Sequence, residues 1–450
     1  VAVEDLPLKS YIPLVGWNMN APPTIFGVQT YGSTRPGATY TPYLIETGAS
    51  WARVMVNWAD AEPANTDPAG FNWSAIDAAL AIALRSSPRL IVTIDRAPAW
   101  AAERPRGPIY PSMLPEFAQF VQALVERYDG DGLDDAPGHP VVRHWEIYNE
   151  PDASSTLFVA GWGEYGAEYA QMLSYVYPAV KQANNQAQVI FGGIAYDWWA
   201  DTGGPFVETF LDDALAAGAG AHFDIMNFHF YPGFWRRWTD DASSGLSEKA
   251  QAIRSKLDNH QVNKPVIITE AGWHSSNEPL SPSSPEEQAR YVVELFVESM
   301  AADIDLMIWW MLFDPGSGIY DNGLITSASP PTIKPAFIAY KELVARLRYA
   351  EFVRQLETPA PVFDPEDGTV QSMDAYELRD PVNRRTIYVA WMNPVNGTTA
   401  WQLRLPAAQA TRYNIYNTES IPLNDAADGV ADGFITVMVG SHPVFVEVSW

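Results

Sequence analysis

Two glutamates stand where acid–base chemistry needs them. Glu150 closes the apolar run VVRHWEIYNE (141–150), with Asn149 before it and Pro151-Asp152 after it. Glu270 closes the run KPVIITEAG (264–272), 120 positions further along. A carboxyl group at the tip of an apolar strand lies between a low-dielectric wall and solvent, so its proton affinity is open to tuning. One protonated carboxyl can hand a proton to a departing glycosidic oxygen while an ionised partner attacks or stabilises the anomeric carbon. A glutamate at the rim of an apolar pocket has its pKa raised to roughly 6, whereas a partner held by cationic or hydrogen-bonding groups stays charged. Carboxyls about 5–5.5 Å apart give retention and a gap of about 6.5–9.5 Å gives inversion. Sequence does not measure that gap.

Competing chemistries find little support. Cysteine is absent, which excludes thiol catalysis, disulfide scaffolds and thiolate metal sites. The seven histidines include no His-x-x-x-His pair and no His/carboxylate triad, so neither a metal nor any other cofactor is expected.

Groups at strand tips must be held by something, and the chain supplies it. Eight β-rich runs recur: 24–32, 51–58, 89–97, 141–150, 188–196, 223–231, 264–272 and 306–314. Helical periodicity fills the gaps, as in LPEFAQFVQALVERY and PEEQARYVVELFVESMA. The runs are nearly continuous in apolar residues, the mark of parallel strands covered on both faces. Eight β-then-α units in series predict a (β/α)8 TIM barrel over residues 1–350, with its core at 24–345. No glycine-rich phosphate fingerprint follows the first run, which disfavours an open dinucleotide-binding sheet. From about residue 358 the pattern becomes short alternating runs separated by Pro, Asp and Gly, so residues 351–450 are expected to form a smaller all-β sandwich domain. Whether residues 1–20 add a strand is left open.

The segment WEIYNEPD (145–152) followed by IITEAGW (267–273) resembles clan A of the glycoside hydrolases, with families 5 and 39 the most similar. The resemblance implies a barrel, retention of configuration, Glu150 as acid/base and Glu270 as nucleophile. It extends to RVMVNW (53–58), HFY (229–231) and WMLFD (310–314). On that likeness Arg53 hydrogen-bonds the nucleophile and keeps it ionised. Tyr231 lies near the nucleophile, His229 lies on the substrate side, Trp310 forms the platform beneath the sugar, and Asn149 contacts the sugar 2-hydroxyl. The likeness spans residues 24–345. Segment VTIDRAPAWA (92–101) departs from it by lacking the Asp-x-His of much of family 5, which leaves the sugar open.

Other residues admit plainer readings. Glu146 is expected deeper in the barrel as a paired structural carboxylate rather than a third acid, and Asp152 as a loop cap. Segment YDGDGLDDAPG (128–138) has the start of a calcium loop, with Asp129, Asp131 and Asp135 as oxygen donors, but lacks the closing glutamate; an acidic turn at the barrel's non-catalytic end is the preferred reading. His274 is assigned equally to a subsite or to the surface. The chain has 17 Trp. Trp58 and Trp273, with Trp100, Trp198, Trp199, Trp235 and Trp238, fall at or beyond strand ends, where flat rings stack on sugar faces. Trp58 and Trp273 are therefore expected to bind substrate, and the number of platforms favours endo-action over an exo-acting xylosidase, mannosidase or glucosidase. A transglycosylase would share all of these residues. A non-catalytic sugar-binding barrel would lack a catalytic group, and none is lacking. The second domain is read as a buttress rather than a sugar-binding module.

The balance of 28 basic against 54 acidic residues, a formal net charge of −26, repels phosphate backbones and anionic lipid. The expected partner is a neutral polysaccharide or oligosaccharide, with no nucleic acid and no membrane. The longest apolar run, LMIWWMLF, falls short of the roughly 18 residues that span a bilayer. A secreted protein whose signal peptide has been removed fits this sequence.

Overall fold

The computed structural model describes residues 24–450 apart from 31–39, 87–88, 155–160, 234–237, 239–243, 279–280, 317–319 and 366–367. The possible strand in residues 1–20, and Trp235, lie outside the described residues.

Every expected barrel run contains a strand: β1 (Phe26–Gln29), β2 (Trp51–Asn57), β3 (Arg89–Asp95), β4 (His144–Asn149), β5 (Gln188–Gly193), β6 (Met226–Phe230), β7 (Val266–Ala271) and β8 (Met307–Trp309). Each is followed by a helix: α1 (Thr41–Thr47), α2 (Ser74–Ser86), α3 (Leu114–Arg127), α4 (Gly166–Ala183), α5 (Phe210–Ala216), α6 (Leu246–Asn259), α7 (Pro285–Ala301) and α8 (Pro335–Leu347). All strand pairs are parallel, running from β5 through β1 and β8 to β6. Parallel bridges Ile190–Ile225 and Ile194–Phe228 join β5 to β6 and complete the ring. The result is a TIM barrel.

The period-2 alternation of the strands sorts side chains into layers. Outward residues such as Val54, Val92 and Phe228 pack under the helices. The α3 positions Leu114, Phe117, Val121, Leu124 and Val125 follow helical spacing and face the sheet. Inside, one apolar layer of Trp51, Ile91, Ile190, Ile267 and Ile308 is a separate cluster. Two residues further along the strands the inward positions turn polar: Arg53, Thr93, Glu146, Asn227 and Thr269, all fully buried. This polar layer is the floor of the barrel mouth.

Two local irregularities aim the carboxylates. In β4, Tyr148 has φ +66°, a left-handed conformation that interrupts the alternation. Its ring turns out against Phe117 and Trp162, and Asn149 turns in toward Arg53. In β7 the register slips: Phe228 pairs with Ile268 and His229 with Glu270, leaving Thr269 as an extra residue. This bulge lets consecutive Thr269 and Glu270 both face the interior, a common device beside functional sites.

After α8 the chain forms β9 (Glu351–Gln355), β10 (Val370–Asp380), β11 (Arg385–Asn393), β12 (Trp401–Pro406), β13 (Gln409–Asn414), β14 (Ser420–Asn424), β15 (Phe434–Val439) and β16 (Val444–Ser449). The large antiparallel sheet has the order β9-β10-β11-β16-β13-β14, and β12 pairs with β15. Met373, Ala390 and Val446 pack with Leu403, Ile435 and Val437 between the two sheets. On the opposite face Leu378, Val389, Trp391 and Phe445 join the barrel core. Arg346, in the last turn of α8, stacks on Tyr413 at 3.9 Å and pairs with Glu447. Among the described residues no helix is long and apolar enough to cross a membrane.

Candidate active site

Arg53 is the hub of the barrel mouth. Its Nη1 donates to Glu270 Oε1 at 2.7 Å, its Nε to Glu146 Oε2 at 2.7 Å, and its Nη2 to Glu146 Oε1 at 3.0 Å and Asn149 Oδ1 at 2.6 Å. Glu146 also accepts from Thr93 Oγ1, Asn227 Nδ2, Thr269 Oγ1 and the Gly193 amide. Burying a carboxylate costs several kcal/mol unless it is paired and hydrogen-bonded. Burial pushes Glu146 up, but Arg53 outweighs it and holds the group below the usual carboxylate range. Glu146 is therefore a paired structural carboxylate beneath the site.

The three groups above it converge. Ligand atoms of Glu150, His229 and Glu270 lie within 4.8 Å of one another. Such a trio could by distance close on a cation, yet the buried guanidinium 2.7 Å from Glu270 already supplies positive charge there. Tyr231 donates to Glu270 Oε2 at 3.1 Å, and its ring meets Trp310 edge-on at 6.3 Å. Asn149 accepts from Arg53 through Oδ1, which leaves its Nδ2 facing the mouth without a partner among the described residues. Arg53, Asn149, Glu150, His229, Tyr231 and Glu270 thus come together in one connected group, with Trp310 on its wall.

The chain of hydrogen bonds fixes the His229 tautomer. Thr269 Oγ1 donates to Glu146, so its oxygen is left to accept from His229 Nε2 at 3.3 Å. The other nitrogen, Nδ1, faces Glu150 Oε1 at 3.1 Å and Glu270 Oε2 at 3.7 Å. One proton therefore lies between His229 and Glu150. Burial pushes the His229 ring down, but the charge of Glu270 and the bond to Glu150 hold it above the ordinary imidazole value. Burial pushes Glu150 up, but the bond to His229 and its charge, backed by Arg106 and Arg53, hold it below the usual carboxylate range. The imidazole beside Glu150 thus opposes the upward push of burial.

The tryptophans divide. Trp58 is fully buried, donates to Glu62 and packs on Trp100, Phe117 and Phe120, so it is core and not a substrate platform. The reason is the single helical turn Trp58–Ala61, which carries the ring outward beneath α3. Trp273 is half-buried, with its indole N–H on Ser283 and its ring against Tyr291 and the Gly233 backbone; it packs loops together. Trp199 is buried against Tyr196 and Trp238, whereas Trp198 is exposed. His274 is buried beside Tyr320. Asp152 accepts from the Ala195 and Tyr196 amides, the capping role expected of it. In the 128–138 loop the carboxylates of Asp129, Asp131 and Asp135 accept from the loop's own amides.

Sequence reading missed Thr93, Asn227, Thr269, Arg106 and Gly193. Arg106 pairs with buried Asp95 at 3.1 Å and donates to the Asn149 carbonyl at 3.0 Å. A Cβ on Gly193 would lie 2.2 Å from His229 Nε2, so only glycine gives that ring room. The strand alternation held the missing signal, since each inward polar residue follows an inward apolar or aromatic one by two.

The cellulase family model (glycosyl hydrolase family 5) matches residues 17–314. No curated protein matches the chain. Among solved structures, a family 39 glycoside hydrolase from the gut symbiont Bacteroides cellulosilyticus WH2 has a TM-score of 0.66 at 17% identity, covering 95% of this chain and 81% of that one. The catalytic domain of family 30 xylanase C from Talaromyces cellulolyticus has a TM-score of 0.60 at 13% identity, covering 94% and 98%. A monomeric β-xylosidase from Caulobacter crescentus CB15 has a TM-score of 0.59 at 14% identity, covering 95% and 96%. Likeness at these identities speaks to fold.

Proposed function

Because the chain belongs to glycosyl hydrolase family 5, the cellulase family of clan A, we propose that Glu150 and Glu270 cleave β-glycosidic bonds of a neutral polysaccharide or oligosaccharide by double displacement. The observation that carries this reading is the approach of the two carboxylates within 4.8 Å around His229. That separation falls on the retaining side of the division between about 5–5.5 Å and about 6.5–9.5 Å.

Glu270, oriented by Arg53 and Tyr231, attacks the anomeric carbon as the glycosidic bond breaks. The leaving oxygen takes the proton held by the Glu150–His229 pair, delivered through Glu150. Forming the glycosyl ester removes the Glu270 charge that helps His229 keep a proton, so the pair is left as neutral imidazole and carboxylate. Glu150 then accepts a proton from water as that water opens the ester, and the pair is restored. Asn149 Nδ2 is positioned for the sugar 2-hydroxyl, and Trp310 beneath the ring.

Residues 1–350 are read as the catalytic domain and 351–450 as its buttress, supported by the shared core along α7 and α8. A secreted setting suits a substrate too large to cross a membrane. Endo-action is the form proposed, on the exposed Trp198 and the half-buried Trp310. The burial of Trp58 and Trp199 removes two expected platforms, and that observation keeps an exo-acting β-glycosidase as a second reading. A panel of neutral polysaccharides and aryl glycosides, with product lengths recorded, tests both. Glu150→Gln should lose about 10³-fold or more on substrates with poor leaving groups and far less on activated ones. Glu270→Ala should lose nearly all turnover. Wild-type rates in either variant would reject that assignment.

A further inference from the structure

A cavity of about 420 Å³ opens on the outer side of the β3–α3 loop, between it and the start of α4. It is of small-ligand size, in the range of roughly 300–1,000 Å³. Tyr110 and Tyr165 line it, each more than 40% exposed, and neither serves as a side-chain cap for the helix it precedes. Leu114 supplies a buried apolar wall. Glu103, Arg104, Glu168 and Gln171 supply the other polar side chains of the lining, and those of Tyr110, Tyr165, Glu103, Glu168 and Gln171 have no hydrogen-bond partner among the described residues. Two flat rings, an apolar wall and unengaged acceptors and donors are the chemistry that holds a sugar ring: C–H faces on the aromatics, hydroxyls on the carboxylates and amide.

The cavity is separate from the catalytic mouth but attached to it. Arg106 of the same loop turns inward to Asp95 and the Asn149 carbonyl, while residues 107–111 line the cavity. Gly107 packs near the Gly161 carbonyl, and a Cβ on Gly161 would meet the Glu150 carbonyl at 2.9 Å, so two glycines thin the wall between cavity and acid/base strand.

We propose that this cavity is an accessory saccharide pocket that holds one or two units of a neutral carbohydrate beside the catalytic groove. It rests on the neutral-substrate reading above. Glu103 and Glu168 against Arg104 leave the rim with one net negative charge, which disfavours uronic acids, while the carboxylates accept from uncharged hydroxyls.

Isothermal titration of Glu270→Ala with cellohexaose, xylohexaose and mannohexaose tests it. At least one hexaose should bind in two events, and adding Tyr110→Ala and Tyr165→Ala should abolish one of them. In the otherwise wild-type enzyme the double tyrosine variant should leave aryl glycoside kcat/KM within about twofold, which also reports an intact fold, while KM for the polymer rises on the order of tenfold for two lost stacking contacts. A single event with every hexaose, or two events unchanged by the tyrosine substitutions, overturns the proposal. If wild-type protein cleaves no glycoside, the functional reading fails instead, and the titration still decides whether the pocket binds sugar.

Discussion

Gly193→Ala perturbs the His229–Glu150 pair without replacing either residue. The glycine lies in strand β5 with an ordinary backbone, so alanine meets no conformational penalty of its own. The new methyl group, however, would sit 2.2 Å from His229 Nε2, 2.7 Å from its Cδ2 and 2.9 Å from Thr269 Oγ1. Ordinary contacts between such atoms are about 3.5 Å, so the ring must retreat by about 1 Å. That breaks the 3.1 Å bond to Glu150 and the 3.3 Å bond to Thr269. A displacement of this size in a reacting constellation costs about 100-fold in rate, and overpacking a core costs about 1–3 kcal/mol in stability. The assay is kcat/KM on phenyl and dinitrophenyl glycosides of the sugar the enzyme accepts. If His229 holds the proton that Glu150 delivers, the phenyl glycoside should lose about 100-fold and the dinitrophenyl glycoside, which leaves unaided, under about tenfold. Equal losses on both, with circular dichroism unchanged, would place the damage at Glu270 and refute the proton-sharing argument. No loss on either would mean that the ring has room the structure does not show.

Other expectations follow from the same geometry. Arg53→Met strands Glu146 and Glu270 without their buried cation and should cost about 3–5 kcal/mol in urea unfolding; adding Glu146→Gln should restore much of that stability but none of the activity, and a single variant within about 1 kcal/mol of wild type would contradict the hub role. Burial lifts Glu294 and Glu298 of α7 well above the ordinary carboxylate value, with Asp374 of the β domain adding repulsion. Because their folded pKa values exceed the unfolded ones, the folded state binds more protons, and the stability they contribute is full at acid pH and lost as pH rises through the folded values. Thermal midpoints should therefore fall from weakly acid to alkaline pH, and Glu294→Gln, which removes a titrating group whose Oε1 has no partner among the described residues, should flatten the slope; an unchanged slope would count against it. Trp58→Ala should cost about 3–5 kcal/mol and spare kcat/KM on small glycosides, whereas Trp310→Ala should do the reverse, as paired denaturation and kinetic measurements would show.

The barrel was legible because its signal is redundant. Eight runs of the right length, each followed by an apolar helical stripe, allow few other architectures, and the carboxylates at the ends of β4 and β7 stand out against apolar neighbours. What stayed hidden depends on phase. Thr269 and Glu270 are consecutive, so strict alternation sends one of them out; the bulge that brings both in leaves no mark in the sequence. Tyr148 likewise reads as an inward residue two after Glu146 until its positive φ turns it out. Trp58 looked like a platform because it follows a strand end, but one helical turn rotates it into the core. The surroundings of Glu150 are hidden for a different reason: His229, 79 residues away in sequence, sits against the carboxyl and is visible only once the barrel closes.

The charge inventory of the mouth supports a neutral substrate more directly than the net charge of the whole chain does. Glu146, Glu150 and Glu270 carry three negative charges; Arg53 and protonated His229 carry two positive ones, so the group sums to −1. Asp95 and Arg106 cancel each other beside it. A carboxylate on the substrate about 4 Å from that excess would cost about 4 kcal/mol at an effective dielectric of 20, enough to weaken binding nearly a thousandfold. A neutral sugar escapes the penalty, and the positive charge that develops at its anomeric carbon gains from the same field. Since that charge is absent in the ground state, the excess favours the transition state over the bound substrate, the differential that catalysis requires. Arg53 sets the balance: it offsets enough carboxylate to let the barrel close over three acids, and leaves one charge unmatched where the oxocarbenium character appears.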